Sequence, residues 1–415
     1  MIPLLRFVQI GDAVNPPKYT RLMKIGIILL LFTTAFISSC RKDVDTRLFP
    51  DTTSFSWNDV EQFSLTNGRH IEISPPLKIW EMAIHDTLLI LTGQSAANEY
   101  RLHVHHSRDG SHLNSFAMNG RGPGEFLYVS SIQLLNLRRE LYFLDRNLNL
   151  GAVFSLDSLL SQSVTPLEIV RFKERAYTMH LRLDSTNYLC GPTDHSFIGL
   201  EPSYLLYYIY NTSIDGFTNR VSLPPLDGVD SLLNISHLSS IFKTNPNWVS
   251  YCESNGYVVS PYIKTDLLEI YDYRQGMRRM ARIQGPDSFL PLFEFTDPPS
   301  SLAEIAKPDK TTWRKARSKT DFIVFPKGVS RNGYFRARAY ERGFYVMYSG
   351  IPYPKEQGAS SNIIRYLFYF SYDGVPLRCY KFDVEHGQVY AVDDTRGVIY
   401  ILTLNEEIYA FDIPD

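Results

Sequence analysis

From about Phe55 to the C-terminus, short apolar or aromatic runs alternate with turn signals, and few segments are long and periodic enough for helices. The pattern recurs in six units. His85 to Phe126 reads DTLLILTG, then YRLHVHHSRDGSHLNSFAM, then a GRGPGEF connection; Arg139 to Val170 contains ELYFLDRNLNLGAVFSL; Asp184 to Leu226 contains NYLCGP and YLLYYIYNTSIDGFTNRVSL. Glu253 to Phe289 contains GYVVSP and LLEIYDYRQGMRRMARI, Gly343 to Glu385 contains FYVMYSG and YLFYFSYDGVPLRCYKF, and Gln388 to Pro414 contains VYAVDDTRGVIYILTLNEEIYAFDI. In four units one hinge divides two strands: Arg108-Asp109-Gly110, Ile214-Asp215-Gly216, Arg274-Gln275-Gly276 and Tyr372-Asp373-Gly374. Glycine there supplies the positive φ of a tight hairpin, and Asp-Gly is a strong short-range hairpin signal.

Six units with room for about four antiparallel strands each suit a β-propeller, because radial packing buries both faces of every sheet and leaves only short edges. The expected fold is therefore all-β, a six-bladed β-propeller of four-stranded antiparallel blades over residues 53–415. Strand-like SFSWNDVEQFSL and RHIEI, within Thr53–Ile73, precede the first unit, and the last unit ends at the C-terminus. An N-terminal strand is thus expected to complete the C-terminal blade and remove its open edge; two successive β-domains are the alternative. Two insertions, Pro224–Ser250 and Pro291–Arg336, lengthen the spacing beyond the usual ~40–50 residues of a blade and are expected as loops on one face. VDSLLNISHLSSIF in the first suits a short amphipathic helix, and SLAEIAK in the second a helical turn.

Composition agrees with a β fold: aromatics make up 13% of the 415 residues, with 27 Tyr and 25 Phe. A formal net charge of -2 lacks the basic footprint of a nucleic-acid binder, so no nucleic acid is expected. Cys40 belongs to the N-terminal signal described next, which leaves Cys190, Cys252 and Cys379 as small core residues, with a single Cys190–Cys252 bridge as the alternative.

Met23 to Cys40 reads MKIGIILLLFTTAFISSC, a short basic start, an apolar run from Ile25 to Phe36, and small residues before a cysteine. The run is shorter than the ~20 residues a spanning helix needs, so residues 23–39 read as a signal peptide. Ile37-Ser38-Ser39-Cys40 resembles the bacterial lipobox, departing from it at Ile37, where leucine is commoner. That resemblance implies lipid attachment and cleavage at Cys40, hence a protein tethered to a membrane without spanning it, most naturally at the outer membrane of a bacterial envelope. Residues 1–22 read as an extension from a misassigned start codon, or alternatively as a long basic region carrying Arg6, Lys18, Arg21 and Lys24. Residues 40–52 form a polar tether, in which Lys42-Asp43-Val44-Asp45 partially matches a surface-export signal of Bacteroidetes-type bacteria.

Gly120-Arg121-Gly122-Pro123-Gly124-Glu125-Phe126 resembles the G-x-G-P-G-E-F/Y loop of six-bladed TolB-like or NHL-like propeller lipoproteins of Bacteroidetes, with Gln284-Gly285-Pro286 a degenerate copy. Together with the lipobox and the six units, the likeness covers roughly Thr53 to Asp415. It implies fold and location rather than a reaction, since the loop is a structural connection in such proteins.

The candidate chemistry is thin. GRGPG lacks phosphate-loop spacing and is followed by strand signal, so it reads as a turn between blades in which Glu125 accepts backbone hydrogen bonds. His103 and His105, alternating on one strand beside His106 and His112, read as half-exposed residues without a third ligand, and no metal is expected. Asp145, Asp272, Asp393 and Asp394 lie near strand ends, where propeller enzymes place acid/base pairs; turn-forming aspartates explain them equally, and no G-x-S-x-G motif occurs. No catalytic residue and no cofactor are expected. The basic run KPDKTTWRKARSK offers Trp313, Arg314, Lys315 and Arg317 as a surface for an anionic glycan or an acidic partner. The reading is a monomeric, membrane-tethered binding propeller for an envelope protein or glycan; the alternative is a hydrolase or lyase working in the central channel.

Overall fold

A computed structural model describes residues 52–172, 177–192, 205–222, 248–263, 265–288, 294–295, 323–324, 332–350 and 364–414. The chain forms two units, Met1–Thr46 and Arg47–Asp415, and every described residue belongs to the second. Three N-terminal strands come first: β1 (Thr53–Ser54), β2 (Glu61–Leu65) and β3 (Arg69–Ile71). Blade 1 is β4 (Leu77–His85), β5 (Leu88–Ser95), β6 (Tyr100–His106) and β7 (His112–Met118); blade 2 is β8 (Val129–Leu135), β9 (Glu140–Asp145), β10 (Leu150–Ser155) and β11 (Glu168–Arg171). Blade 3 is β12 (Tyr177–Arg182), β13 (Asn187–Pro192), β14 (Leu205–Asn211) and β15 (Gly216–Ser222); blade 4 is β16 (Ser250–Cys252), β17 (Tyr257–Pro261), β18 (Leu267–Asp272) and β19 (Arg278–Gln284). A two-residue pair, β20 (Glu294–Phe295) with β21 (Ile323–Val324), intervenes. Blade 5 is β22 (Tyr334–Ala339), β23 (Phe344–Tyr348), β24 (Ile364–Phe370) and the first part of β25 (Pro376–Asp393). Blade 6 takes the rest of β25, then β26 (Val398–Thr403), β27 (Ile408–Asp412) and β3.

The chain is thus an all-β, six-bladed propeller, and the expected architecture holds. Strands within each blade are antiparallel neighbours, and blades 5 and 6 share β25, so their seven strands, with β2 added alongside β25, form one sheet of eight. Helix among the described residues is limited to two three-residue 3-10 turns, Trp57–Asp59 and Leu156–Ser158.

An N-terminal strand closes the ring, as expected. β3 pairs antiparallel with β27 through Arg69↔Ala410, His70↔Tyr409 and Ile71↔Ile408. The strands before it are outer edges too: β1 pairs parallel with β19 of blade 4, and β2 parallel with β25 in blade 5. The N-terminal segment therefore runs along three successive blades. Its apolar side chains seal the gaps between blades: Phe55 and Val60 pack between blades 4 and 5, Leu65 between 5 and 6, and Ile71 between 6 and 1. With the clusters joining blade 1 to 2 and blades 2, 3 and 4, apolar packing is continuous around the ring. Each such buried side chain contributes roughly 1.5–3 kcal/mol.

The hinges of the sequence are the turns between the third and fourth strands of blades 1, 3, 4 and 5. Gly110 has φ +74°, and a Cβ there would lie 2.1 Å from the Glu72 carbonyl oxygen, so glycine lets the hairpin touch the chain just after the closing strand. In blade 3 the positive φ falls on Asp215 rather than Gly216.

Two boundaries differ from expectation. For blades 1 to 5 the sequence units begin at the second strand, because the innermost strands carry polar residues that mute the strand signal: LKIWEMAIH, VSSIQLL, YTMHLR, SYC and YFRARA. For the same reason the expected insertions end too late, since Ser250 already starts β16 and Tyr334–Arg336 lie in β22. The two segments proposed as helical in these insertions lie outside the described residues. Strand alternation puts the ends of β15 and β19, the starts of β16 and β22, and the GRGPGEF connection on the face where innermost strands begin, and the turns after the innermost strands on the opposite face.

Candidate ligand-binding channel

All innermost strands surround one cavity of about 210 Å³. Its wall takes Glu81 and Ala83 from β4, Ser131 and Gln133 from β8, Leu181 from β12, Ser250 from β16, Arg338 from β22 and Ala391 from β25. It reaches the turns that follow these strands, with Asn136, Glu253, Ser254 and Glu341 at its rim. The cavity therefore lies toward the face opposite the GRGPGEF connection.

Five innermost strands break register against the second strand of their blade, between Ile79 and Glu81, Val129 and Ser131, Tyr177 and Met179, Phe335 and Ala337, and His386 and Tyr390. A bulge adds twist and re-aims side chains. In β22 the extra residue is Arg336, at φ 32°. Its guanidinium and that of Arg338 both bond Oε1 of Glu81, which comes from blade 1 across the ring. Glu81 is 1% exposed and Arg336 6%. Arg338 also donates from Nη2 to the Met82 carbonyl (3.3 Å), and its guanidinium lies 5.9 Å from the Tyr390 ring centre. Tyr390 in turn donates to the carbonyls of Arg336 (3.0 Å) and Tyr345 (2.9 Å), which fixes β22 and β23 against β25. Burial pulls the Arg336 guanidinium below its ordinary pKa against the pull of Glu81; on Arg338 burial acts the same way, but Glu81 and the neighbouring tyrosines outweigh it. Both stay cationic at neutral pH.

The lining beside this cluster is fixed as well. Gln133 bonds Arg182 by both amide atoms, Nε2 to the carbonyl (3.0 Å) and Oε1 from the N–H (2.9 Å), tying β8 to β12. Glu253 at the rim accepts from Arg138 Nε (2.5 Å) and the Leu137 N–H (3.0 Å).

The aspartates considered for acid/base work have structural partners instead. Asp145 accepts from the N–H groups of Leu127, Tyr128, Asn147 and Leu148. Asp272 caps the turn at Arg274 and Gln275, Asp393 holds the Arg396 N–H and guanidinium, and Asp394 accepts from the Tyr345 hydroxyl (3.2 Å). Each satisfies turn or inter-blade hydrogen bonds, the commonest use of aspartate at strand ends. A second buried carboxylate, Glu269, engages both oxygens, Oε1 with Arg282 (2.7 Å) and Oε2 with the hydroxyls of Tyr262 and Tyr271.

The histidines depart from the sequence reading. His103 and His105 share a face of β6, but they are buried, 4% and 0% exposed, rather than half-exposed. Nδ1 of His103 bonds Ser115 Oγ (2.9 Å), which His112 Nε2 also reaches (2.8 Å), and His105 Nδ1 faces the Gly110 carbonyl (2.8 Å). Burial, then the nearby His105 and His112, depress His103 to about 4. Among the described residues no three His, Cys, Asp or Glu side chains group as metal ligands.

The GRGPGEF connection is scaffold: Glu125 accepts from the Gly122 N–H (2.7 Å), a Cβ on Gly120 would strike that carboxylate, and buried Phe126 packs edge-on against Phe143. Cys190, Cys252 and Cys379 are buried free thiols, so the Cys190–Cys252 bridge is not formed. Cys40, Trp313, Arg314, Lys315 and Arg317 lie outside the described residues.

No family model and no curated protein matches the chain. Solved structures do. A Bacteroides fragilis protein described as a candidate exported protein superposes with TM-score 0.50 at 13% identity, over 88% of this chain and 100% of that one. A Bacteroides vulgatus member of the DUF4221 family gives TM-score 0.47 at 9% identity, over 84% of this chain and 94% of that one. The β-propeller domain of Cps50 (Swd1) from Myceliophthora thermophila gives 0.35 at 10% identity, over 84% and 99%. The first likeness extends to the fold and no further.

Sequence reasoning missed Glu81, Arg336 and Arg338. Their signal was a charge inside an otherwise apolar strand, Glu81 in IWEMAI and the Arg-x-Arg of YFRARA. Such charges are rarely buried unless paired.

Proposed function

We propose that the protein is an exported, lipid-anchored propeller that binds an envelope protein or glycan at the channel mouth and performs no chemistry on it. One observation carries the reading: the central cavity is walled by a pre-formed, hydrogen-bonded polar set, whereas the aspartates available for acid/base catalysis are held in turns and inter-blade contacts. The Glu81 carboxylate is likewise committed, its Oε1 shared by the guanidiniums of Arg336 and Arg338. The resemblance of Gly120–Phe126 to TolB-like or NHL-like lipoproteins, and of Ile37–Cys40 to a lipobox, supports an anchor on Cys40 and an outer-membrane address. The Bacteroides fragilis neighbour's description as exported points the same way. No helix among the described residues is long and apolar enough to cross a membrane.

The test is affinity recovery of the tagged protein from envelope extracts with glycans retained. Asn136→Trp, at the exposed rim of the cavity, is expected to lose the partner, whereas Arg121→Trp, on the opposite face, keeps it. Equal recovery by both variants overturns the channel-mouth reading. The basic segment with Trp313, Arg314, Lys315 and Arg317 leaves and re-enters the ring on the Arg121 face, so a contact there is separable, and Lys315→Glu with Arg317→Glu tests it alone.

A further inference from the structure

The cluster in the channel does not balance. Glu81 contributes one negative charge, Arg336 and Arg338 one positive charge each, and the trio carries a net charge of about +1 in a buried setting. The ionic partner of both arginines among the described residues is Glu81; of the two rim carboxylates, Glu253 is already matched by Arg138 and Glu341 forms an ion pair with neither arginine. Unbalanced buried charge is costly unless a counter-charge completes it.

Unused hydrogen-bonding capacity points into the same space. Among the described residues every side-chain hydrogen bond of Arg338 is made by Nη2, so Nη1 and Nε keep their N–H groups, and Arg338 lines the cavity. Arg336 does not line the cavity, and its Nε is buried behind the wall without a partner. The hydrogen bonds of Glu81 fall on Oε1, which leaves Oε2 as an acceptor at the cavity wall, in contrast to Glu269, where both oxygens are engaged. Hydroxyls of Ser131 and Ser250 stand on neighbouring strands, against an apolar wall of Ala83, Ile132, Leu181 and Ala391. A cavity of about 210 Å³ is smaller than the ~300 Å³ at which drug-sized pockets begin.

Resting on the binding role proposed above, we infer that the channel cavity holds a small hydroxy-carboxylate of about monosaccharide size, its carboxylate on the Arg338 guanidinium and a hydroxyl donating to Glu81. The carboxylate supplies the missing negative charge, and the hydroxyl uses the spare acceptor. A neutral sugar lacks the first, and a simple carboxylate lacks the second.

Isothermal titration of the intact protein with sodium glucuronate and sodium lactate tests this, with glucose and propionate as controls. At least one of the two hydroxy acids is expected to bind about tenfold or more tighter than both controls, as charged hydrogen bonds warrant. Arg338→Met removes that preference over glucose. Glu81→Gln raises the cluster toward +2 and weakens the hydroxyl acceptor, so propionate binds more tightly while the hydroxy-acid advantage shrinks. A gain in propionate affinity cannot arise from damaged folding, so this variant carries the test if Arg338→Met fails to fold. Neither hydroxy acid binding, or either binding Arg338→Met as well as the parent, overturns the inference. Envelope capture that is lost in Asn136→Trp without any hydroxy-acid binding refutes this inference and leaves the binding role; hydroxy-acid binding without envelope capture does the reverse.

Discussion

Glu81→Ala is the most informative single perturbation of the ring. The substitution leaves Arg336, 6% exposed, and Arg338 without their shared carboxylate, and it removes the bond that crosses from blade 1 to blade 5. Removing one partner from a buried ion cluster costs about 3–5 kcal/mol, because the remaining charge stays desolvated and unpaired. That is a large share of the ~5–15 kcal/mol by which a folded domain is stable. The assay is urea unfolding followed by tyrosine and tryptophan fluorescence, with the loss read from the midpoint at constant slope. Replacing Glu81, Arg336 and Arg338 together by Met removes every charge at once, and this triple variant should lie within about 1 kcal/mol of the parent or above it. If Glu81→Ala costs less than about 1 kcal/mol, or if the triple variant is worse than the single, the cluster is not the buried, mutually dependent set described above.

Ile71→Ala, at the closing strand, should cost about 2–5 kcal/mol, since the side chain is 1% exposed between blades 6 and 1; urea titration checks it, and a loss no larger than that of an exposed alanine substitution argues against closure by β3. Gly110→Ala combines a positive φ with a Cβ 2.1 Å from the Glu72 carbonyl and should cost about 1–3 kcal/mol, seen as a lower melting temperature. His103, depressed to about 4 from 6.5, binds less proton folded than unfolded between those values, so its contribution is intact above about pH 6.5 and declines as pH falls toward 4. Stability measured at pH 7 and pH 4.5 should therefore converge in His103→Asn relative to the parent; an unchanged difference means another group titrates. Cys40→Ala should release the protein from membranes, and persistent membrane association would contradict the lipid anchor.

What the sequence made legible and what it hid have a common cause. The second and third strands of most blades are strongly apolar or aromatic, as in FYVMY and YLFYF, and hairpins beside them carry glycine, so both their existence and their order could be read. The innermost strands face a polar channel. Glu81, Gln133, Arg336 and Arg338 break the alternation there, and the bulges shift the register by a residue, so strands and site were obscured together. Conversely, the residues that looked chemical in isolation, His103, His105 and the Asp145 type, are compact polar groups that tie turns and blades. Their partners are set by tertiary contacts that spacing does not encode, such as Asp145 with the Leu127 and Tyr128 N–H groups beyond the glycine-rich connection.

The central claim, that a partner is taken at the channel mouth, is tested most directly by site-specific photo-crosslinking in cells. A photoreactive phenylalanine analogue at Asn136, on the rim of the cavity, is expected to yield a discrete crosslinked species, while the same group at Arg121, on the opposite face, yields none. Crosslinks from Arg121 alone, or from neither position, would contradict the account.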